Sequence, residues 1–218
     1  MLIVLNPDKL TRQTFFQALI NYLSQHSDVS LRQIKRDFGE TEHLDRKLED
    51  YIQAGYIERR ERRYYLSLTP LENIDQLSLG DKVILDRDSS AYQELKSLAF
   101  ETRLTNTTNE AVLVEWTDFE RNTLTLSNYF HRLRTSSPLS QEQRKLYATL
   151  GDVNPDYALK YMTSFLLKFA NKDLVKQRRP DIFVQSLNQL GYIEEAEVGT
   201  YSLKLDFDRE NLVFKTNQ

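Results

Sequence analysis

The chain of 218 residues has no cysteine, which excludes disulfide bonds, thiolate metal sites and a thiol nucleophile together. Glycine is scarce at six residues, and none of them builds a loop able to cradle phosphate. No serine sits in the strained turn of a serine hydrolase. The three histidines, His26, His43 and His131, share no metal-ligand spacing, so each reads as a surface or capping residue. Long apolar runs are missing too. Met1–Leu5 is apolar but stops at Asn6, Pro7, Asp8 and Lys9, too short for a signal-peptide core, and nothing approaches the roughly 18 apolar residues of a membrane span. The expectation is a cytoplasmic chain with no catalytic residue, metal or cofactor and no membrane partner. Asp86, Asp88 and Glu115 lie on or beside expected strands, where a carboxylate metal site is conceivable. Solvated carboxylates at strand ends are the ordinary explanation.

What is present is enough for a folded core, because a chain of this size buries roughly 70% of its unfolded surface. The formal net charge is −3, unevenly spread. Residues 1–68 carry 11 basic and 10 acidic side chains, against 18 and 22 in the remainder. Such a chain has no global attraction for nucleic acid, so any binding of that kind needs a local patch.

Apolar spacing predicts a helix over about Leu10–Gln25, with Phe16, Leu19, Ile20 and Leu23 on its inner face. Asp28 and Ser30 offer capping oxygens to a short helix over Leu31–Phe38, ended by Gly39, and Thr41 to a third whose inner face is Leu44, Leu48, Tyr51 and Ile52. Gly55 stands where a left-handed cap is usual. Beyond it, Tyr56-Ile57 and Tyr64-Tyr65-Leu66 have strand composition, with Arg59, Arg60, Glu61, Arg62 and Arg63 between them as a hairpin tip. Lys82–Leu85, Phe100–Thr105, Ala111–Thr117 and Thr123–Ser127 read as strands and Tyr92–Phe100 as a helix. Helices follow over Ser140–Leu150, from Pro155 to about Ala170, and from Pro180 to Leu190. Tyr157, Tyr161 and Leu167 widen the apolar surface of the middle one of these beyond a single face. Burial within the chain is the commoner reason for that, a subunit interface the other. Tyr192–Glu197 and Tyr201–Phe207 make a second hairpin.

The chain therefore repeats itself. Phe16–Leu23 has a counterpart in Met162–Phe169, and Gly55-Tyr56-Ile57 in Gly191-Tyr192-Ile193. The interval from Leu23 to Gly55 exceeds that from Phe169 to Gly191, so the second copy has room only for a cramped helix pair near 171–178 and 180–190. Helix, helix–turn–helix and two-stranded wing in this order, carried by Leu31, Ile34, Leu44, Leu48, Gly55-Tyr56-Ile57 and Tyr65-Leu66, resemble the winged-helix superfamily over residues 10–68 and, less closely, 156–207. Asn6–Leu10 and Leu48–Ile57 are also similar to an uncharacterised family of short proteins from Gram-positive cocci, a likeness that implies no activity. The expected fold is α+β and helix-rich. It comprises an N-terminal winged-helix domain over 1–70, a middle segment with a small antiparallel sheet over 71–139, and a C-terminal winged-helix-like domain over 140–218.

Basic wings lie along phosphate backbones or enter minor grooves. The residues expected to contact double-stranded DNA are Arg59, Arg60, Arg62 and Arg63 on the wing, with Arg46 and Lys47 facing outward from the third helix. Glu42, Asp45, Glu49 and Asp50 share that helix's outer face and oppose the contact. Four wing arginines imply a salt slope of at most about −3.6. In the second copy, outward-facing Gln185, Ser186, Asn188 and Gln189 are uncharged and the wing carries Glu194, Glu195 and Glu197, a surface that avoids DNA. The basic run Lys172–Arg179 would offset this if it were surface-exposed, but a solvated helix face is the commoner explanation. Two functions follow: a dimeric, non-enzymatic DNA-binding regulator acting through its first wing, or an adaptor of tandem winged helices that binds a protein partner through its C-terminal unit.

Overall fold

A computed structural model describes residues 1–217. They form a helix-rich mixture of eight α-helices and several small sheets, divided into two compact units, Met1–Leu98 and Ala99–Gln218. Residues 71–139, expected as one middle segment, are shared between them.

The first unit contains β1 (Leu2–Leu5), α1 (Thr14–Gln25), β2 (Val29–Ser30), α2 (Leu31–Asp37), α3 (Leu44–Gln53), β3 (Ile57–Arg60), β4 (Arg63–Leu66), β5 (Val83–Asp86) and α4 (Ser90–Ser97). Its core joins Phe16, Leu19 and Ile20 of α1 to Ile34, Leu48, Tyr51 and Ile57, all at most 2% exposed. Ser30 begins α2 with a reciprocal cap: its hydroxyl accepts from the Gln33 backbone while the Gln33 side chain accepts from Ser30 N–H. Thr41 does not cap α3; His43 takes that place in a left-handed conformation at φ 55°, without a side-chain cap bond. The two residues of β2, an element the sequence reading missed, pair with β4 to make a sheet in the order β2-β4-β3. A separate ribbon pairs β1 with β5, Leu2 opposite Asp86.

The second unit contains β6 (Phe100–Leu104), β7 (Val112–Thr117), α5 (Leu126–Arg134), α6 (Gln141–Leu150), α7 (Pro155–Leu166) with a 3-10 turn to Ala170, β8 (Leu174–Lys176), α8 (Ile182–Gln189), β9 (Ile193–Glu197), β10 (Thr200–Leu203), β11 (Asp206–Asp208) and β12 (Val213–Lys215). Two expectations are corrected here. Thr123–Ser127 is not a strand: Thr125 accepts from Asn128 N–H and starts α5. The cramped helix near 171–178 is also absent, because β8 occupies that stretch and pairs with β10. The second copy thus shortens itself by giving up a helix while keeping a sheet of the same order, β8-β10-β9. Helix α8 packs against both α6 and α7. The hairpin β6–β7 is completed by the chain's last strands in the order β11-β12-β7-β6, with β12 parallel to β7.

The repeat extends to individual hydrogen bonds. After α3, Gly55 N–H donates to Ile52 O and Tyr56 N–H to Tyr51 O, both at 3.0 Å; after α8, Gly191 N–H donates to Asn188 O at 3.0 Å and Tyr192 N–H to Leu187 O at 2.9 Å. Both glycines are left-handed, at φ 76° and 74°, which is how a helix releases its last carbonyls and turns sharply. The chain then runs through a hairpin and closes it on the same tyrosine's carbonyl, from Ser67 N–H in one unit and Lys204 N–H in the other. Because a Cβ in this conformation costs roughly 1–2 kcal/mol, Gly55→Ala is expected to lower the unfolding free energy read from urea titration by that amount. Gly199→Ala is expected to cost more, since its φ is +68° and its Cβ would also meet Gln177 O at 3.0 Å.

Candidate functional site

The hairpin β3–β4 turns through Glu61 and Arg62, both left-handed at φ 47° and 65°. This two-residue turn matches strand twist but is strained for residues other than glycine, asparagine or aspartate. Arg60 and Arg63 face each other at its base. Three of its four arginines stand beside carboxylates. Arg59 Nη1 lies 3.6 Å from Glu49 Oε2 of α3, Arg60 Nε 3.0 Å from Glu58 Oε1, and Arg63 Nε 3.3 Å from Asp28 Oδ1. Arg60 also covers the Tyr65 ring at 5.0 Å. Only Arg62, at the strained tip, has no ion-pair partner among the described residues of the wing. On α3, Arg46 is exposed and Lys47 half-buried; neighbouring Asp45 is held by Lys35 Nζ at 2.8 Å. These pairs are solvent-exposed and each is worth about 0–1 kcal/mol. Their consequence is electrostatic: a carboxylate stands beside each of three hairpin arginines and offsets part of its positive charge.

The second unit reverses the expected distribution. Its wing is acidic, but Glu194 pairs with Lys204 and Glu195 accepts from Gly199 N–H at 2.8 Å. Ser186, expected on the outer face of α8, is buried, while Gln185, Asn188 and Gln189 are exposed. Lys172–Arg179 is not a helix face. It is β8 with the residues on either side of it, where Lys172, Lys176, Arg178 and Arg179 are exposed and have no ion-pair partner among the described residues. Arg178 and Arg179 border an open groove of about 420 Å³ between α8 and the second hairpin. The basic run was legible in the sequence but its strand was not, because a basic run with helical room around it looks the same as a solvated helix.

The three carboxylates considered for a metal are not brought together, and no group of three or more acidic or histidine side chains stands in metal-holding proximity among the described residues. Asp86 and Asp88 accept from the Met1 amino group, at 2.6 and 3.2 Å. Glu115, expected as a solvated strand-end carboxylate, is fully buried. It accepts from Leu126 N–H at 2.9 Å, from Ser127 N–H at 2.8 Å and from the Tyr192 hydroxyl. It therefore caps the first turn of α5 from another element, where the helix dipole favours a negative group. Burial raises its pKa, opposed by these three donors. The histidines hold structural places: His26 stacks on Tyr22 at 4.4 Å beyond the end of α1, His43 precedes α3, and His131 is pushed down to about 4 by burial and by Arg121, Arg134 and Arg132.

Residues 2–98 are similar to a family described as a domain of unknown function (DUF1803), a span that coincides with the first compact unit. No curated protein and no solved structure matches the chain. No helix among the described residues is long and apolar enough to cross a membrane.

Two outcomes follow. A carboxyl group whose native pKa is raised binds more protons folded than unfolded, so its contribution to stability is complete below the ordinary value of 4.5 and is lost as pH rises through the native value. Urea titrations above pH 4.5 are expected to show this loss in the native chain and not in Glu115→Gln. Glu115→Ala strands two buried N–H groups and a phenol, at a cost of about 3 kcal/mol or more. At the wing, Glu61→Asn with Arg62→Gly relieves the left-handed strain and is expected to stabilise the chain by about 1 kcal/mol.

Proposed function

We propose that the chain is a non-enzymatic adaptor built on two winged-helix modules, which binds another protein instead of gripping DNA with its first wing. The modular reading is supported by the order of elements: α1, β2, α2, α3 and the β3–β4 hairpin in one unit, and α7, β8, α8 and the β9–β10 hairpin in the other, with sheets of matching order. The observation that carries the choice of partner is the pairing of Arg59, Arg60 and Arg63 with Glu49, Glu58 and Asp28. A wing whose cations are already matched gains little by replacing its own carboxylates with phosphates, and α3 beside it adds Asp45 and Asp50, which phosphates repel.

The unpaired Lys172, Lys176, Arg178 and Arg179 favour a second reading, in which duplex DNA is held by the second unit, with carboxamides of α8 facing base edges. A single titration separates the readings. Fluorescence polarisation with random duplex, repeated across salt concentrations, is expected to give a log–log slope no steeper than about −0.9, the value for one free wing cation. A slope near −3.6 that disappears when Arg59, Arg60, Arg62 and Arg63 become alanine restores the first-wing regulator. The same slope removed instead by alanine at Lys172, Lys176, Arg178 and Arg179 establishes the second reading. For the adaptor itself, a tagged chain in nuclease-treated extract is expected to retain a stoichiometric protein partner, and recovery of none counts against it.

A further inference from the structure

Helix α7 has two characters. Ala158, Leu159, Met162, Phe165 and Leu166 are buried, whereas Asp156, Tyr157, Tyr161 and Ser164 are exposed and Lys160 half-buried. The exposed side is neither polar nor loosely arranged. Tyr157 and Tyr161 are 51% and 41% exposed, with ring centroids 4.7 Å apart. Both lean on Phe183 of α8, at 5.8 and 5.2 Å, and Tyr161 stacks on it with an interplanar angle of 9°. Ile182 beside Phe183 is 46% exposed. Ring-on-ring packing holds these side chains in place before anything binds, so little rotamer freedom remains to be lost on association. Ordered, exposed tyrosines are also the side chains from which interfaces draw much of their energy. The apolar excess of this helix, noted in the sequence, is therefore only partly absorbed by the core.

The charges on the same face select the occupant. Asp156 and Lys160 lie one turn apart, flanking Tyr157, and neither has an ion-pair partner among the described residues. Lys160 Nζ instead rests 5.6 Å from the Tyr161 ring centroid. Opposite charges spaced by one turn are complementary to their own antiparallel copy. When the helix is laid against itself head to tail, the acid of each copy faces the base of the other, and a twofold axis makes the contact twice. We propose that the tyrosine face of α7 seats a second copy of this chain, antiparallel, with Asp156 of each copy against Lys160 of the other. This goes beyond the adaptor reading and stands apart from it, because it concerns the purified chain alone.

Sedimentation equilibrium on the full chain tests it. The mass is expected to rise from 25.7 kDa toward twice that value with concentration. Asp156→Lys puts like charges together at two symmetric places and is expected to weaken the dimer by about tenfold, and Tyr157→Ser with Tyr161→Ser by more. The double exchange Asp156→Lys with Lys160→Asp recreates both pairs and is expected to return the dissociation constant to within about threefold of the native value. Circular dichroism confirms folding. Should Asp156→Lys unsettle the first turn of α7, Lys160→Asp reads the same contact from the second. A chain that stays monomeric at about 100 µM overturns the proposal. So does a dimer indifferent to the tyrosine substitutions, or one in which the double exchange is no better than either single exchange.

Discussion

Each unit is organised by a backbone constraint after its last helix. A helix that must stop abruptly and feed a β-ribbon has to satisfy its final carbonyls while reversing direction, and a left-handed residue does both in one step. Gly55 and Gly191 fill that position, and the next residue is a tyrosine both times. The turn thereby aims two phenols outward from the three-element knot toward the other sheet of the same unit. The Tyr56 hydroxyl meets Lys82, which also pairs with Asp8 at 2.6 Å. The Tyr192 hydroxyl meets Glu115 on β7. One locally encoded turn therefore fixes the hairpin, and its tyrosine fastens the accessory strands to it.

The Glu115 contact shows how much can depend on one such anchor. A buried carboxylate without partners is very costly, and here it has three donors drawn from two elements. Two are the first amides of α5; the third belongs to the turn after α8. The β6–β7 hairpin, the start of α5 and the second glycine turn are thus tied through a single side chain, and the strand β12 adds itself to the same sheet from the chain's end.

The two units share a plan and differ in where their charge resides. In the first, the wing is rich in arginine, but the carboxylates of α3, of β3 and of Asp28 lie within reach of it. In the second, the β9–β10 hairpin is acidic, with Glu194 and Glu195 satisfied locally, whereas the free cations lie on and beside β8, the strand found where a helix was expected. Charge type alone would assign nucleic-acid contact to the first unit. Pairing leaves Lys172, Lys176, Arg178 and Arg179 of the second unit without ion-pair partners among the described residues, and the aromatic face of α7 as an exposed apolar feature. Both facts direct attention to interactions of the second half, the part outside the similarity to DUF1803.

Features encoded within a few residues were legible without the structure. The cap at Ser30, the left-handed Gly55, the inner faces of α1 and α3 and both hairpins depend on spacing and local hydrogen bonds, so the sequence by itself determined them. Tertiary structure decided the rest. Thr123–Ser127 is β-branched and looks like a strand, yet Thr125 caps α5 there, and Glu115, eleven positions before Leu126, takes up the helix's first amides. Lys172–Arg179 has helical room, yet it pairs with β10 because the repeat retains its sheet. The state of the wing arginines depended on carboxylates on other elements, and the exposure of Tyr157 and Tyr161 on how much of α7 the remaining helices could cover. Periodicity reports which face of an element is apolar. Which neighbour covers that face, or whether any does, is settled only when distant segments compete for it.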